Sequence, residues 1–458
     1  MTQKTNTKTS SDRIPVSGIL FAGPVAALCL SAVALPALAQ DAGAPPLLFI
    51  DISTGLEYED QLNRDGAFEA TTSLGVGYFS STADQRLSFE TGVTARGTED
   101  QFDLINPFAT IAYARFNRDT EIGFDLSYLR SEIEGDDLDD DFDAGDLERQ
   151  DGVREDIDVG VRLITGRASP FGTDTRLRYA QENFFDGATD DDTVTYNARS
   201  TLRFTIDPRI ELRLTGSWDR EETDDAIQTV DTTRRLTLGA DLAIDRAWSA
   251  SVGIGYAELE TETTGGTTLE DGVEASLLIA RDLPNGGLAF SSDHVLEEDG
   301  WRNSVRLRRT IETANGDIFN ASIGQIFFEE GGSGHLASLD YTRTVRSGSF
   351  SVALNYESDL DAADQLIQRT RLDATLRQNL TEVSGWSLDG GLASVEYDNP
   401  VSIDALRVDV GLSYLHALSN DWTLAARVEH QVLYEDGDID DRTNTLSLNL
   451  ERRFSVRP

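Results

Sequence analysis

The chain has 458 residues, 26% of them charged, with a formal net charge of -42 and a pI near 4.3. Such a charge repels the phosphate backbone, so nucleic acid is excluded as a partner. With 39% hydrophobic residues and a mean hydropathy of -0.32, no stretch beyond residue 39 is apolar and long enough for a spanning helix.

Residues 1–39 read as a cleaved secretory signal. Lys4, Lys8 and Arg13 form a basic start, an apolar run follows from Ile19, and Ala37-Leu38-Ala39 offers a small-residue cleavage site. The single cysteine, Cys29, lies inside that leader, so the exported chain has no thiol for disulfides, metal ligation or catalysis. Residues 40–46 read as a short periplasmic segment, and residues 47–458 as one domain without a change of composition.

From Leu48 onward the apolar residues recur at every second position, which is the period of a strand with two unlike faces. "TVTYNARSTLRFTI" places Val194, Tyr196, Ala198, Leu202, Phe204 and Ile206 on one face, and "RIELRLTGSW" does the same with Ile210, Leu212, Leu214 and Trp218. "RRLTLGADLAI" follows with Leu236, Leu238, Ala240, Leu242 and Ile244, then "WSASVGIGY" with Trp248, Ala250, Val252, Ile254 and Tyr256. "FSVALNY", "ALRVDVGLSY", "WTLAARVEHQVLY" and "NTLSLNLERRFSV" carry the pattern to Phe454. Counting such runs gives about 22 strands, with 16 the lower bound.

Between strands, tight turns such as "NRDT" at 117, "DPR" at 207, "LPNG" at 283 and "RSGS" at 346 alternate with acidic segments. The acidic segments include "RGTEDQFD" at 96, "DREETDDA" at 219, "LEEDG" at 296 and "EDGDIDD" at 435, and they read as longer loops. Two unlike edges and long two-faced strands fit an all-β, antiparallel up-and-down transmembrane barrel with short periplasmic turns and longer acidic extracellular loops.

Aromatic residues support that reading. Trp248 and Tyr256 share a face eight residues apart, roughly 20 Å along the normal of a tilted strand, close to the height of a lipid-facing band. Trp248, Phe350 and Trp422 fall at the turn end, while Trp218, Tyr256, Tyr356 and Tyr434 fall at the loop end, so two girdles are expected.

The last strand puts Leu446, Leu448, Leu450 and Phe454 on one face. This resembles the terminal strand of bacterial outer-membrane barrels, which usually ends on an aromatic recognised by the assembly machinery; here Ser455 to Pro458 follow Phe454. The chain from 47 to 454 resembles the β-barrel porin group, some of whose members are linked to exopolysaccharide export. The resemblance implies a Gram-negative outer-membrane location, with lipid, lipopolysaccharide and the barrel-assembly machinery as partners. It lies in architecture and carries no signature motif.

If the apolar parity faces lipid, the other parity lines the lumen. It carries Arg162, Arg176, Arg178, Arg199, Arg203 and Arg213 on consecutive strands, then Arg306, Arg308, Arg369, Arg371, Arg377 and Arg407. Asp158, Glu211, Asp373 and Asp409 share that face, so either ion-pair ladders or an anion-attracting stripe follows. The longest connection, residues 135–151, holds Asp136, Asp137, Asp139, Asp140, Asp141, Asp143 and Asp146. It reads either as an inward constriction facing the Arg stripe or as an outer loop bridged to lipopolysaccharide by weakly held divalent cations. No resident cofactor is expected. An EF-hand is excluded by Ala144 at the turn glycine and Gln150 at the bidentate position. The Ser, Asp and His of "SSDH" at 291–294 alternate faces and form no triad, so no enzyme is expected. The expected function is a channel for small solutes or for export of an anionic polymer. The alternative is a sealed structural barrel whose acidic loops bind cations.

Overall fold

The computed structural model describes residues 46–62, 66–98, 101–133, 147, 152–185, 191–297, 300–329, 332–360, 365–397, 404–419 and 421–456. The expected signal segment, the 40–45 linker and Asp136 to Asp146 lie outside the described residues. The described residues from Leu47 to Val456 form 22 strands, β1 (Leu47–Gln61) to β22 (Asp438–Val456). Each strand pairs antiparallel with the next in sequence, from β1 with β2 through β21 with β22. β22 then pairs with β1, Leu48 opposite Val456 through Gln61 opposite Thr443, so the sheet closes on itself. Closure leaves no edge strand, the one way a sheet can satisfy every backbone group inside lipid. Arg453 seals the seam on the inner face, giving Asp51 two hydrogen bonds of 2.6 and 2.8 Å.

Twenty-two strands about 4.8 Å apart, tilted near 40°, enclose a cylinder roughly 40 Å across between backbones if circular. The alternation fixes which side chains face out. On β11 (Trp248–Thr263), Trp248, Val252, Ile254 and Tyr256 all point outward and exposed, while Ser249, Ser251, Gly253 and Gly255 take the other face. The register continues this parity sideways: Val252 opposes Ala240 and Leu277, and Ile254 opposes Leu238 and Ala275. An outward apolar band therefore runs from strand to strand.

The turn end follows the sequence reading. The 117–120 turn closes with Asn117 Oδ1 accepting from the backbone N–H groups of Asp119 and Thr120 at 2.8 and 2.7 Å. Asp245 caps its turn by accepting from Ala247 and Trp248, which holds its carboxyl below the usual range. On β4 (Phe102–Phe116), Pro107 has no N–H for the ladder; a bulge between Gly92 and Thr94 of the neighbouring strand and a positive φ of 51° at Asn106 absorb it.

At the other end, some of the described connections are shorter than their acidic runs suggest. β21 (Trp422–Glu435) and β22 are joined by Asp436 and Gly437 alone, with φ of 47° and 86°. This is a tight hairpin that needs the left-handed region at both residues. β9 (Ile210–Thr223) runs on through the first five residues of "DREETDDA" before a short connection to β10 (Thr229–Ala243), and β11 and β12 (Gly266–Leu283) meet at Thr264-Gly265. The acidic segments carry on as strand because their alternate residues pair across the ladder. Arg234 bonds to Glu258 and, at 3.2 Å, to Glu260. The wall thus rises above the apolar band as a polar, two-faced sheet, with strands of up to 19 residues.

Candidate functional site

The aromatic side chains named for the girdles stand toward the two ends of their strands. At the turn end, Arg281 sits over the Trp248 ring at 5.1 Å, and Arg452 lies over both Trp422, at 5.0 Å, and Phe454, at 4.0 Å. Phe350 meets Tyr341 edge-on. A guanidinium beside an aromatic ring suits the level where lipid headgroups meet the band. At the loop end, Tyr179, Tyr196 and Trp218 form a row across three neighbouring strands, with ring centroids 5.4 and 6.5 Å apart. Tyr179 and Tyr196 were not assigned to a girdle from the sequence, because only the register shows that they stand level with Trp218. Tyr256 donates to Asp271 at the same boundary. Tyr356 and Tyr434 keep outward parity, Tyr356 donating to Gln368 at 2.7 Å.

The inward parity carries the arginines. On β18 (Leu366–Asn379), Arg369 pairs with Asp359 at 2.8 Å, both well buried, and Arg371 pairs with Asp373 at 3.2 Å. Next to them, Arg407 donates to the Gln431 carbonyl and Arg427 pairs with Glu429 at 2.8 Å. Arg371, Asp373, Arg407, Asp409, Arg427 and Glu429 together line a charge-balanced hollow of about 200 Å³. Arg306 and Arg308 stand apart on β14 (Gly300–Glu312). Arg308 and Arg377 have no ion-pair or hydrogen-bond partner among the described residues.

The second group gathers where β6 (Val153–Thr165), β7 (Phe171–Phe185), β8 (Thr193–Asp207) and β9 meet. Arg162 donates to Asp174 at 2.8 and 3.2 Å, and Arg176 reaches the same carboxylate at 3.4 Å. Arg178 pairs with Asp158, and Arg213 with Asp241 at 2.6 Å. Arg203 donates to the Gly166 carbonyl at 2.8 Å and comes within 3.8 Å of Glu211. Gly172 lies directly opposite Arg203, and a Cβ there would meet its guanidinium at 3.0 Å. The glycine makes room for the arginine to reach back to the turn. Arg167, in the turn before β7, pairs with Glu121 at 2.8 Å. Strand alternation had no means of finding Arg167, since turn residues have no face. Arg199 has no partner among the described residues. A cavity of about 510 Å³ opens over this group, lined by Arg167, Arg176, Arg199, Arg203 and Arg213, with Asp174 the one acid among its described lining residues.

Two further inward features come from the loop end. The pairing of β12 with β13 (Gly286–Glu297) stops at Ala275 opposite His294. The end of β13 then folds across β11, burying Leu296 completely with Ala257 and Leu259. Arg235 holds it by donating to the Leu296 carbonyl at 2.6 Å and to Glu274 at 3.2 Å, while Glu274 accepts from the Leu296 N–H. Leu147, from the connection between β5 (Glu121–Glu132) and β6, is buried with Ala393, Val395, Ala405 and Leu433 on the inward parity of β19 (Ser384–Tyr397), β20 (Ala405–Ala417) and β21. The candidate constriction residues Asp136, Asp137, Asp139, Asp140, Asp141 and Asp143 lie outside the described residues. Among the described residues no three His, Cys, Asp or Glu side chains gather in a way that would hold a metal ion. His294 is engaged with Asn303 at 2.7 Å and stacked on Trp301.

No protein-family model matches the chain, and no curated protein matches it in sequence. Its fold is similar to that of solved receptors and transporters. The FrpB iron transporter of Neisseria meningitidis superposes with a TM-score of 0.63 at 8% identity, over 90% of this chain and 83% of that one. The siderophore receptor PirA of Pseudomonas aeruginosa gives 0.55 at 10% identity, over 91% and 81%. The ferric enterobactin receptor PfeA of the same organism gives 0.56 at 10% identity, over 88% and 80%. At such identities the likeness is one of fold. A closed 22-strand barrel with an outward apolar band and aromatic girdles is an architecture of the Gram-negative outer membrane, and that is where this chain belongs.

Proposed function

We propose that the barrel is a porin-like passage across the outer membrane for small hydrophilic solutes, or for an anionic polymer such as exopolysaccharide. The observation that carries this reading is the contrast between faces: a continuous apolar band outside, and inside a wall of arginines, carboxylates and hydroxyls that only water can solvate. The solved structures of similar fold named above are an iron transporter, a siderophore receptor and a ferric enterobactin receptor, which supports transport as the class of function. Lipid and lipopolysaccharide contact the band, and the Phe454 strand is the element offered to the assembly machinery.

Swelling of liposomes carrying the refolded barrel, in neutral sugars of increasing size, tests the passage. Swelling that falls off with sugar size supports it, and none from inserted protein refutes it. A sealed barrel is the second reading, favoured by the inward seats of Leu147 and Leu296 and by the ion pairs that satisfy most inner arginines.

A further inference from the structure

Between β6 and β10 the cross-strand ion pairs of the inner wall run diagonally. Arg162 pairs with Asp174, Arg178 with Asp158, Arg203 with Glu211 and Arg213 with Asp241, each two positions off the direct opposite. The direct opposites on β6 to β9 are different: Arg162 faces Arg176, Arg176 faces Arg199, and Arg203 faces Arg213. Like charges directly across a ladder destabilise it, and a sheet under no other demand would avoid them. The wall instead places three guanidiniums in one row and two more in a second row four residues along β8. The acids at hand, Asp174, Glu211 and Asp241, are committed to Arg162, Arg176, Arg203 and Arg213, and Arg199 is left without one among the described residues. This excess of positive charge sits in a chain whose net charge is -42.

We infer that the cavity bounded by Arg176, Arg199, Arg203 and Arg213 is a binding site for an elongated oxyanion. Its ligand carries two or more phosphate, sulfonate or carboxylate groups and bridges the two arginine rows. The rows lie about 13 Å apart along β8, and Arg176, which leans to Asp174 on the side of the second row, narrows the span that the ligand must cover. Guanidinium forks suit such oxygens because two parallel N–H groups match two oxygens of one group. A single small anion neutralises one row only. Thr201, between the rows, adds a hydroxyl to the lining. The inference gives the proposed passage a substrate class, and it rests on that reading only for the route by which the ligand arrives.

The test is binding of sodium tripolyphosphate and of inorganic phosphate to the full barrel refolded in detergent, read by calorimetry at fixed ionic strength. The expected result is tripolyphosphate bound at least tenfold tighter than phosphate. R199Q should weaken tripolyphosphate at least tenfold, whereas R308Q, which removes an equally unpartnered inner arginine outside the cavity, should leave it unchanged. T201E, which supplies an internal carboxylate, should abolish binding while raising the urea midpoint of the ligand-free barrel. Equal losses in R199Q and R308Q would reduce the effect to a diffuse lumen potential and overturn the site, as would no binding by the wild type. Because binding is read in detergent and passage in bilayers, a barrel that conducts without binding refutes the site alone. One that binds without conducting refutes the passage alone.

Discussion

The parity assigned to β11 makes a sharp demand on two adjacent residues. Val252 faces lipid four residues from Trp248 and four from Tyr256, which puts it near the middle of the apolar band. Val252→Arg places a guanidinium at that depth, where the cost in a barrel is about 2–4 kcal/mol. At about 1.36 kcal/mol per tenfold, that is a loss of roughly 30- to 900-fold in the folding equilibrium. Ser251, one residue earlier, takes the inner face, where its hydroxyl accepts from Arg213 at 3.2 Å. Ser251→Asp puts a charge beside that guanidinium in a wet lumen, and its effect should stay within about 0.5 kcal/mol. The assay is reversible urea titration of the barrel in vesicles of defined lipid, followed by tryptophan fluorescence and by heat-modifiable mobility in gels. Equal costs for the two variants, or a larger one for Ser251→Asp, would refute the assignment of faces on which the account rests.

Removing Arg369 leaves Asp359 buried without its 2.8 Å partner, so Arg369→Gln should cost about 3 kcal/mol in the same titration. Asp225 lies in the connection between β9 and β10, where the Thr229 hydroxyl, ahead of the backbone N–H groups of Thr229 and Ile227, holds its carboxyl below the usual range. A lowered value means that the loop's order is fully present above the unperturbed carboxylate range and is lost as pH falls through the lowered one. Hydrogen-exchange protection at Ile227 and Thr229 should follow that course and be low at every pH in Asp225→Asn. Leu147 belongs to the buried cluster with Val395, so a Leu147→Cys, Val395→Cys pair should join through a short bismaleimide in a chain prepared without residues 1–39, and so without Cys29. Absence of the cross-link would detach Leu147 from the inner wall.

The barrel was legible in the sequence because lipid outside and water inside impose a period of two, visible in "WSASVGIGY" as much as in "NTLSLNLERRFSV". The strand number and the turn end follow from that. Some described connections at the loop end are shorter than their acidic runs suggested, because above the band both faces of the sheet are wet. Through Asp219–Thr223 and on either side of the Asp436-Gly437 turn the apolar period vanishes while the backbone ladder continues, and an acidic run looks like a loop. The same period of two separates the arginines from the apolar parity. Which of them are neutralised was not legible, since it depends on register between strands. Arg176 opposite Arg199, and Arg213 diagonal to Asp241, are facts of pairing that no single strand contains.

The most direct test of the central claim is single-channel conductance of the refolded barrel in a planar bilayer under a salt gradient. The account predicts discrete, ohmic steps with a reversal potential set by anions, reflecting the arginine rows of β7 to β9. Silence from protein shown to be inserted would contradict it and leave a sealed structural barrel.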